Sequence, residues 1–146
     1  MILKHSDDFF IQWDVVFSQE DNLNLGVFNF WINDLCYPAK GINITLSSVF
    51  NALISNVVEI NALKNDLGNV AIEEIDFTAF ESENLVWLDT GELFQFGFGL
   101  VLGFDGDFER LFYTVDYEKT YSEVILRKGV LIETLKSLIP YVNKME

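Results

Sequence analysis

Cys36 is the only cysteine and His5 the only histidine among the 146 residues, so nucleophile-and-base chemistry has almost nothing to work with. Such catalysis needs a thiolate or alkoxide partnered by a base, commonly an imidazole. His5 lies in an N-terminal segment expected to be mobile, and Cys36 has no evident partner. Zinc and iron centres need clustered Cys and His ligands, which these counts cannot supply. The run "DGDFE", Asp105 to Glu109, is dense in oxygen ligands. It lacks the alternating acidic order and closing glutamate of a calcium loop, and reads instead as a turn. The glycines of "GFGLVLG" precede neither a helix start nor a lysine, so they do not cradle phosphate. Carboxylate pairs can hydrolyse glycosides when they converge, but abundance alone does not bring any pair together. The expectation is a chain with no catalytic residue, no metal and no cofactor.

What remains is charge. The chain carries 23 acidic and 9 basic residues, a formal net charge of -14 at pH 7. A field of that sign repels nucleic-acid phosphates and anionic lipid, and it accelerates encounter with a basic protein in a salt-dependent way. It also keeps an aromatic-rich chain soluble. The expected partner is therefore a basic macromolecule, with no direct contact to nucleic acid or membrane.

The elements that must position these groups follow from length and patterning. A chain of 146 residues that is 50% hydrophobic fills one core but not two, so residues 1–146 are read as one domain. A single cysteine forms no internal disulfide and suits a reducing compartment. The N-terminus "MILKHSDDFFIQWD" shows no secretory pattern, and runs such as "FGFGLVLGF" fall far short of the roughly 20 residues of a membrane helix. A cytoplasmic location is expected.

"DFFIQWDVVF" alternates as a strand, with Phe9, Ile11, Trp13, Val15 and Phe17 on one face. "SQEDNLN" turns the chain, and "LGVFNFWIN" returns with Phe28, Phe30 and Ile32 on one face and Val27, Asn29 and Trp31 on the other. "LCYP" follows as an edge strand, because Pro38 cannot sit inside a sheet. Leu46, Val49, Phe50, Leu53, Ile54, Val57 and Ile60 recur at three and four, the period of an amphipathic helix. Thr45, Ser47 or Ser48 would cap it, and Gly68 would follow its end. The acidic stretch Val70 to Gly91 suggests a strand followed by a short helix. "LFQFGFGLVLGF" alternates as a central or curved strand with Phe94, Phe96, Phe98 and Leu100 on one face. "FDGD" is a hairpin turn into "FERLFYTVD", "YEKT" turns into "SEVILRKG", and Leu131, Leu135, Leu138, Ile139 and Val142 mark a closing helix that Pro140 ends or kinks. Hairpins with segregated helices give an α+β fold: an antiparallel, hairpin-rich twisted sheet packed against two main helices.

Most of the aromatics must be core, since each buried ring removes about 150–250 Å² from water. Trp31 is set opposite Phe28 and Phe30. Unless helices cover both faces of that sheet, one aromatic set is left for a partner.

"GVFNFWIND" with the helix from Leu46, and "FDGDFERLFYTVDYEKTYSEVILRKGV" with its closing helix, resemble a family of small bacterial immunity proteins. These come from the toxin and immunity pairs of contact-dependent growth inhibition and related polymorphic-toxin systems. The resemblance implies a cytoplasmic, non-enzymatic protein that binds one cognate toxin domain and blocks its active site or its access to substrate. A toxin that handles nucleic acid, a nuclease, is itself basic and suits an acidic inhibitor. The candidate toxin-binding residues are the cluster Glu73, Glu74, Asp76, Glu81 and Glu83, with Asp105 and Asp107 on the hairpin turn as a second set and Phe77 or Phe80 as apolar anchors. Two alternatives stand beside this: a small-molecule or lipid binder with an apolar pocket between aromatic strands and helices, and a weak carboxylate hydrolase with a carboxyl of raised pKa in a cleft.

Overall fold

The computed structural model describes residues 1–18, 24–39, 43–79 and 81–145. Among the described residues, two antiparallel sheets and three α-helices form an α+β architecture. In the first, five-stranded sheet, β1 (Ile2–Lys4), β2 (Phe9–Ser18), β3 (Asn24–Ile32) and β4 (Leu35–Tyr37) run in that order, with β5 (Ile44–Thr45) paired to the far end of β3. The second sheet orders β6 (Val86–Trp87), β7 (Gly99–Asp105), β8 (Phe108–Thr114) and β9 (Ser122–Arg127). The helices are α1 (Leu46–Ala62), α2 (Val130–Lys136) and α3 (Ile139–Met145).

The β2–β3 hairpin follows its alternation. Phe9, Ile11 and Trp13 are buried together with Phe28, Phe30 and Ile32, in the register Ile11↔Phe30 and Trp13↔Phe28. Burial on this face ends at Val15, which is exposed while still paired in register with Gly26; beyond it a bulge between Val15 and Phe17 shifts the register. The side chain of Phe17 and the turn residues 19–23 lie outside the described residues. Gly26 sits beside this irregularity, where a Cβ would stand 2.1 Å from the carbonyl oxygen of Asp14 and 2.7 Å from Leu46 Cδ1. Only glycine lets β2 and α1 close on β3 at this point. Asn33 and Asp34, both with positive φ, make the tight turn into β4, as short polar side chains tolerate.

In α1, Leu46, Val49, Phe50, Leu53 and Ile60 are buried, and Phe50 meets Trp13 and Phe28 edge-on at 5.0 and 5.9 Å between ring centroids. Thr45 holds the N-cap position without a side-chain cap; its amide donates instead to Glu92 Oε2 at 2.9 Å. The helix ends at Leu63, in extended backbone, before the expected glycine is reached. The buried Asn56 ties α1 to the loop ahead of β7: its Nδ2 donates to Asp89 O at 3.0 Å and its Oδ1 accepts from Asp89 N at 2.9 Å.

Four further expectations are corrected. The stretch Gly91–Phe96 is a 3-10 helix, closed by Gly97 at φ +89°, so the strand begins only at Gly99 and the apparent Phe94, Phe96, Phe98 alternation is not a strand face. The acidic middle holds a 3-10 turn at Ile72–Glu74 and then the two-residue strand β6, the reverse of strand followed by helix. The N-terminus is not loose: β1 pairs β2, and His5 Nε2 lies 2.8 Å from Ser137 Oγ. The closing helix is broken in two after Lys136, with Pro140 in the first turn of α3, where a missing N–H costs little.

One continuous core joins the inner faces of both sheets and the apolar stripes of the helices. Phe30 stacks on Phe98 at 5.2 Å, and Leu100, Leu102, Leu111, Val124 and Leu126 of the second sheet share it with Leu131 and Leu135 of α2. Burying each such side chain is worth about 1.5–3 kcal/mol. Glu109 is also buried there. Its carboxylate accepts from Gly129 N (3.2 Å) and Leu131 N (2.6 Å) at the start of α2, and burial pushes its pKa up.

Candidate functional site

The outer face of the second sheet is covered by an arm of the chain, residues 64–78, that has almost no regular structure. Leu67 N and Gly68 N both donate to Phe104 O, at 2.8 and 3.0 Å, and Gly106 N donates to Asp66 Oδ2 at 2.8 Å. Gly103 makes room: a Cβ there would lie 2.9 Å from Leu67 Cδ2 and 3.2 Å from Leu85 Cδ2. Leu67, Ile72, Ile75 and Phe77 then form a second, smaller core with Leu85, Trp87, Val101, Phe112 and Tyr121. Phe77 lies flat on Tyr121, 4.0 Å between centroids, and meets Phe112 edge-on at 5.2 Å. Trp87 Nε1 donates to Phe77 O at 3.0 Å.

Arg110 supplies the central polar tie. It is buried on the arm side of β8, where Nε and Nη2 donate to Glu123 at 2.5 and 3.2 Å, and Nη1 donates to Gly68 O (2.9 Å) and Val70 O (2.6 Å).

This arm carries much of the predicted cluster outward. Glu73 and Glu74 are exposed on the 3-10 turn. Asp76 is exposed as well, and the hydroxyl (2.6 Å) and amide (2.9 Å) of Thr78 donate to it and hold its pKa below the usual carboxylate range. Glu81 and Glu83 are exposed farther on, with Glu83 accepting from Asn65 Nδ2 at 3.2 Å. The structure divides these groups. Glu73 and Asp76 line a groove of about 420 Å³ with Glu118, Phe77 and Tyr121. Glu81 and Glu83 line another, about 660 Å³, with Glu59, Lys64 and Trp87. Asp105 lines a third, about 440 Å³, with Phe108, Arg110, Glu123 and Ile125. Glu74 and Asp107 line none of these three. Among the described residues, none of the seven carboxylates makes an ion pair.

Phe77 is packed into the smaller core and is no free anchor; Phe80 lies outside the described residues. Sequence reasoning missed Glu59 and Glu118, which complete two of the grooves. It also missed the Arg110–Glu123 pair, whose only sequence signal is a charge at an outward position of each of two neighbouring strands. Glu118 belongs to a tight turn in which Tyr117 and Glu118 both have positive φ, +59° and +67°, an uncommon conformation for non-glycine residues. Asp116 braces that turn by accepting from Thr120 Oγ1 (2.6 Å), Thr120 N (2.9 Å) and Thr114 Oγ1 (2.9 Å). The hydroxyl and then the amide of Thr120 bring its pKa down to about 2. Burial, with Glu118 and Asp116 nearby, pushes the Tyr121 phenol up to about 12.

His5, Ser137 and Glu133 lie together, with His5 Nδ1 3.8 Å from Glu133 Oε2. Ser137 Oγ is also within hydrogen-bond distance of the Glu133 carbonyl, to which it donates at 2.8 Å. Among the described residues, no group of His, Cys, Asp and Glu side chains is placed to hold a metal ion, and no helix is long and apolar enough to cross a membrane. The "DGDFE" run is a two-residue hairpin turn with Gly106 at φ +59°. The aromatics that would line an apolar ligand pocket pack on each other instead, Phe9 on Phe30 and Phe30 on Phe98.

Trp31 stands on the outer face of the first sheet, stacked on Phe10 at 5.9 Å with an interplanar angle of 7°, its Nε1 donating to Gln12 Oε1 at 2.9 Å. It is half-buried, and the helices pack on the opposite face.

The chain is similar in fold to a solved structure, the crystal structure of CdiI from Burkholderia dolosa AUO158. The TM-score is 0.61 at 15% sequence identity, with 97% of this chain and 99% of that one covered. No curated protein matches the sequence. The family model of immunity protein 42 matches residues 1–141, and with nearly the whole chain matched the protein belongs to that immunity protein family.

Proposed function

We propose that this immunity protein neutralises its cognate toxin domain by laying the acidic arm against a basic cleft of the toxin, occluding its active site or its access to substrate. Glu73, Glu74, Asp76, Glu81 and Glu83 occupy positions meant for phosphate groups, and Asp105 with Asp107 forms a second contact across the Arg110–Glu123 pair. The toxin class that fits is a nuclease, basic because it binds a polyanion. The inhibitor acts as one domain over residues 1–146, in the cytoplasm, without catalysis, metal or cofactor.

The observation that carries this reading is a set of exposed carboxylates free of ion pairs, several of them on a segment already fixed by hydrogen bonds and a small core of its own. A surface ordered before binding loses less entropy on association, and an unneutralised field steers a basic partner. The test is charge reversal, Glu73→Lys with Glu74→Lys, measured against the cognate toxin domain. Affinity should fall at least tenfold, mostly through slower association, and wild-type association should slow as salt rises. Unchanged binding, or an association rate indifferent to salt, would remove the arm from the interface.

A further inference from the structure

Arg110 is placed to do more than stabilise a strand. Two of its hydrogen bonds go to Glu123 on the neighbouring strand and two go to the carbonyls of Gly68 and Val70 on the arm. The guanidinium thus joins the sheet to the chain just ahead of Glu73, Glu74 and Asp76. Beyond the acidic turn the next polar tie is Trp87 Nε1 to Phe77 O, so the turn is slung between two fixed points. Between them its backbone hydrogen bonds are internal, Glu74 N to Ala71 O and Ile75 N to Ile72 O.

Stability alone does not account for an ion pair at this position. The Arg110 side chain is 8% exposed and that of Glu123 20%, and the guanidinium lies over the Phe112 ring at 5.2 Å. Desolvating two charges offsets much of their attraction, and replacing both side chains of such a pair by apolar ones of similar volume is often neutral or stabilising. What an apolar residue cannot do is hold two arm carbonyls at fixed positions. A planar fork of donors can, and a lysine ammonium, a point charge on a flexible stem, does so poorly.

We infer that the Arg110–Glu123 pair is a positioning device that fixes the acidic 3-10 turn in its toxin-binding geometry, an inference that rests on the arm being the toxin contact. Arg110 acts through the arm and touches no toxin group itself. The variants are Arg110→Met and Arg110→Lys, each compared with wild type by amide hydrogen exchange and by binding to the cognate toxin domain.

In the free protein, both should speed exchange in residues 68–77 at least tenfold while the amides of β2, β3 and α1 keep their protection. Affinity should fall about tenfold for Arg110→Met and less for Arg110→Lys. Added to Arg110→Met, the Glu73→Lys and Glu74→Lys reversal should cost clearly less than it does in wild type, a non-additivity that a uniform loss of stability would not produce. If Arg110→Met does not fold, Arg110→Lys carries the same measurements. Wild-type arm protection and wild-type affinity in the Arg110 variants, with the charge reversal still harmful, would overturn the positioning role and leave the arm as the contact. A harmless charge reversal would overturn both.

Discussion

The outer faces of the two sheets are finished in opposite ways. On the first sheet the face is left to solvent: Phe10 and Trp31 lie flat on each other, Lys4 pairs with Asp7, and the N-terminal ammonium pairs with Asp14. On the second sheet the arm covers part of the face, burying a core of its own and turning outward carboxylates that make no ion pair among the described residues. In the first case the two rings stay half-buried and charge is settled in pairs; in the second the arm covers Val101 and Phe112, leaves Phe108 and Ile125 exposed beside it, and displays carboxylates that make no ion pair. The aromatic-rich hairpin that dominates the sequence builds the scaffold, and the acidic stretch is the surface we propose for recognition.

The strongest way to break this contrast is to empty the core beneath the arm. Phe112 is fully buried between the arm and the sheet, and Phe112→Ala should cost about 3–5 kcal/mol, read from urea denaturation. Exchange protection should be lost first in residues 67–77. Protection lost uniformly across the molecule would mean that the arm does not behave as a separate layer.

A smaller effect is expected on the open face. Trp31→Ala removes a half-buried ring and its stacking on Phe10, worth about 1 kcal/mol, and should leave toxin affinity within about twofold. A larger loss of affinity at unchanged stability would move the recognition surface to the first sheet.

The smallest effect is a pH dependence confined to the arm side. Asp116, at about 2, and Asp76, held low by Thr78, have folded-state values below the unfolded value of about 3.9. Each contributes stability that is complete above the unfolded value and is lost as pH falls through the folded one. An NMR titration from pH 5 to 2 should move the Thr120 and Thr78 amide signals only near the acid end, and Asp116→Asn should abolish the Thr120 transition. A Thr120 midpoint near 4 would contradict the bracing of that turn.

The parts of the fold that were legible in the sequence are those whose burial is periodic. Phe9, Ile11 and Trp13 repeat at two and Leu46, Val49, Phe50 and Leu53 at three and four, and each set is buried as read. The arm has no such signature. Leu67, Ile72, Ile75 and Phe77 are spaced irregularly because an extended segment turns each side chain down wherever the sheet offers room. Phe94, Phe96 and Phe98 imitate a strand, yet Gly91 and Gly97 with positive φ bend the stretch into a 3-10 helix. At the candidate site the carboxylates were visible, since charge needs no fold to be counted. Their division among grooves was not, because Glu59 and Glu118 arrive from a helix and a turn far away in the chain. Arg110 and Glu123 are brought together only by the β8–β9 register, which sets Arg110 against Ile125 and Phe112 against Glu123.

The three acidic grooves have no lining residue in common, yet their floors are shared: Phe77 and Trp87 belong to the same small core and are joined by a hydrogen bond, and Arg110 ties its own groove to the arm. The carboxylates at the rims, Glu73, Glu81, Glu83 and Asp105 among them, stand outside both cores, and substitutions confined to them are close to additive between grooves. On the proposed reading, contacts can therefore be traded one carboxylate at a time while the arginine and the rings beneath stay fixed.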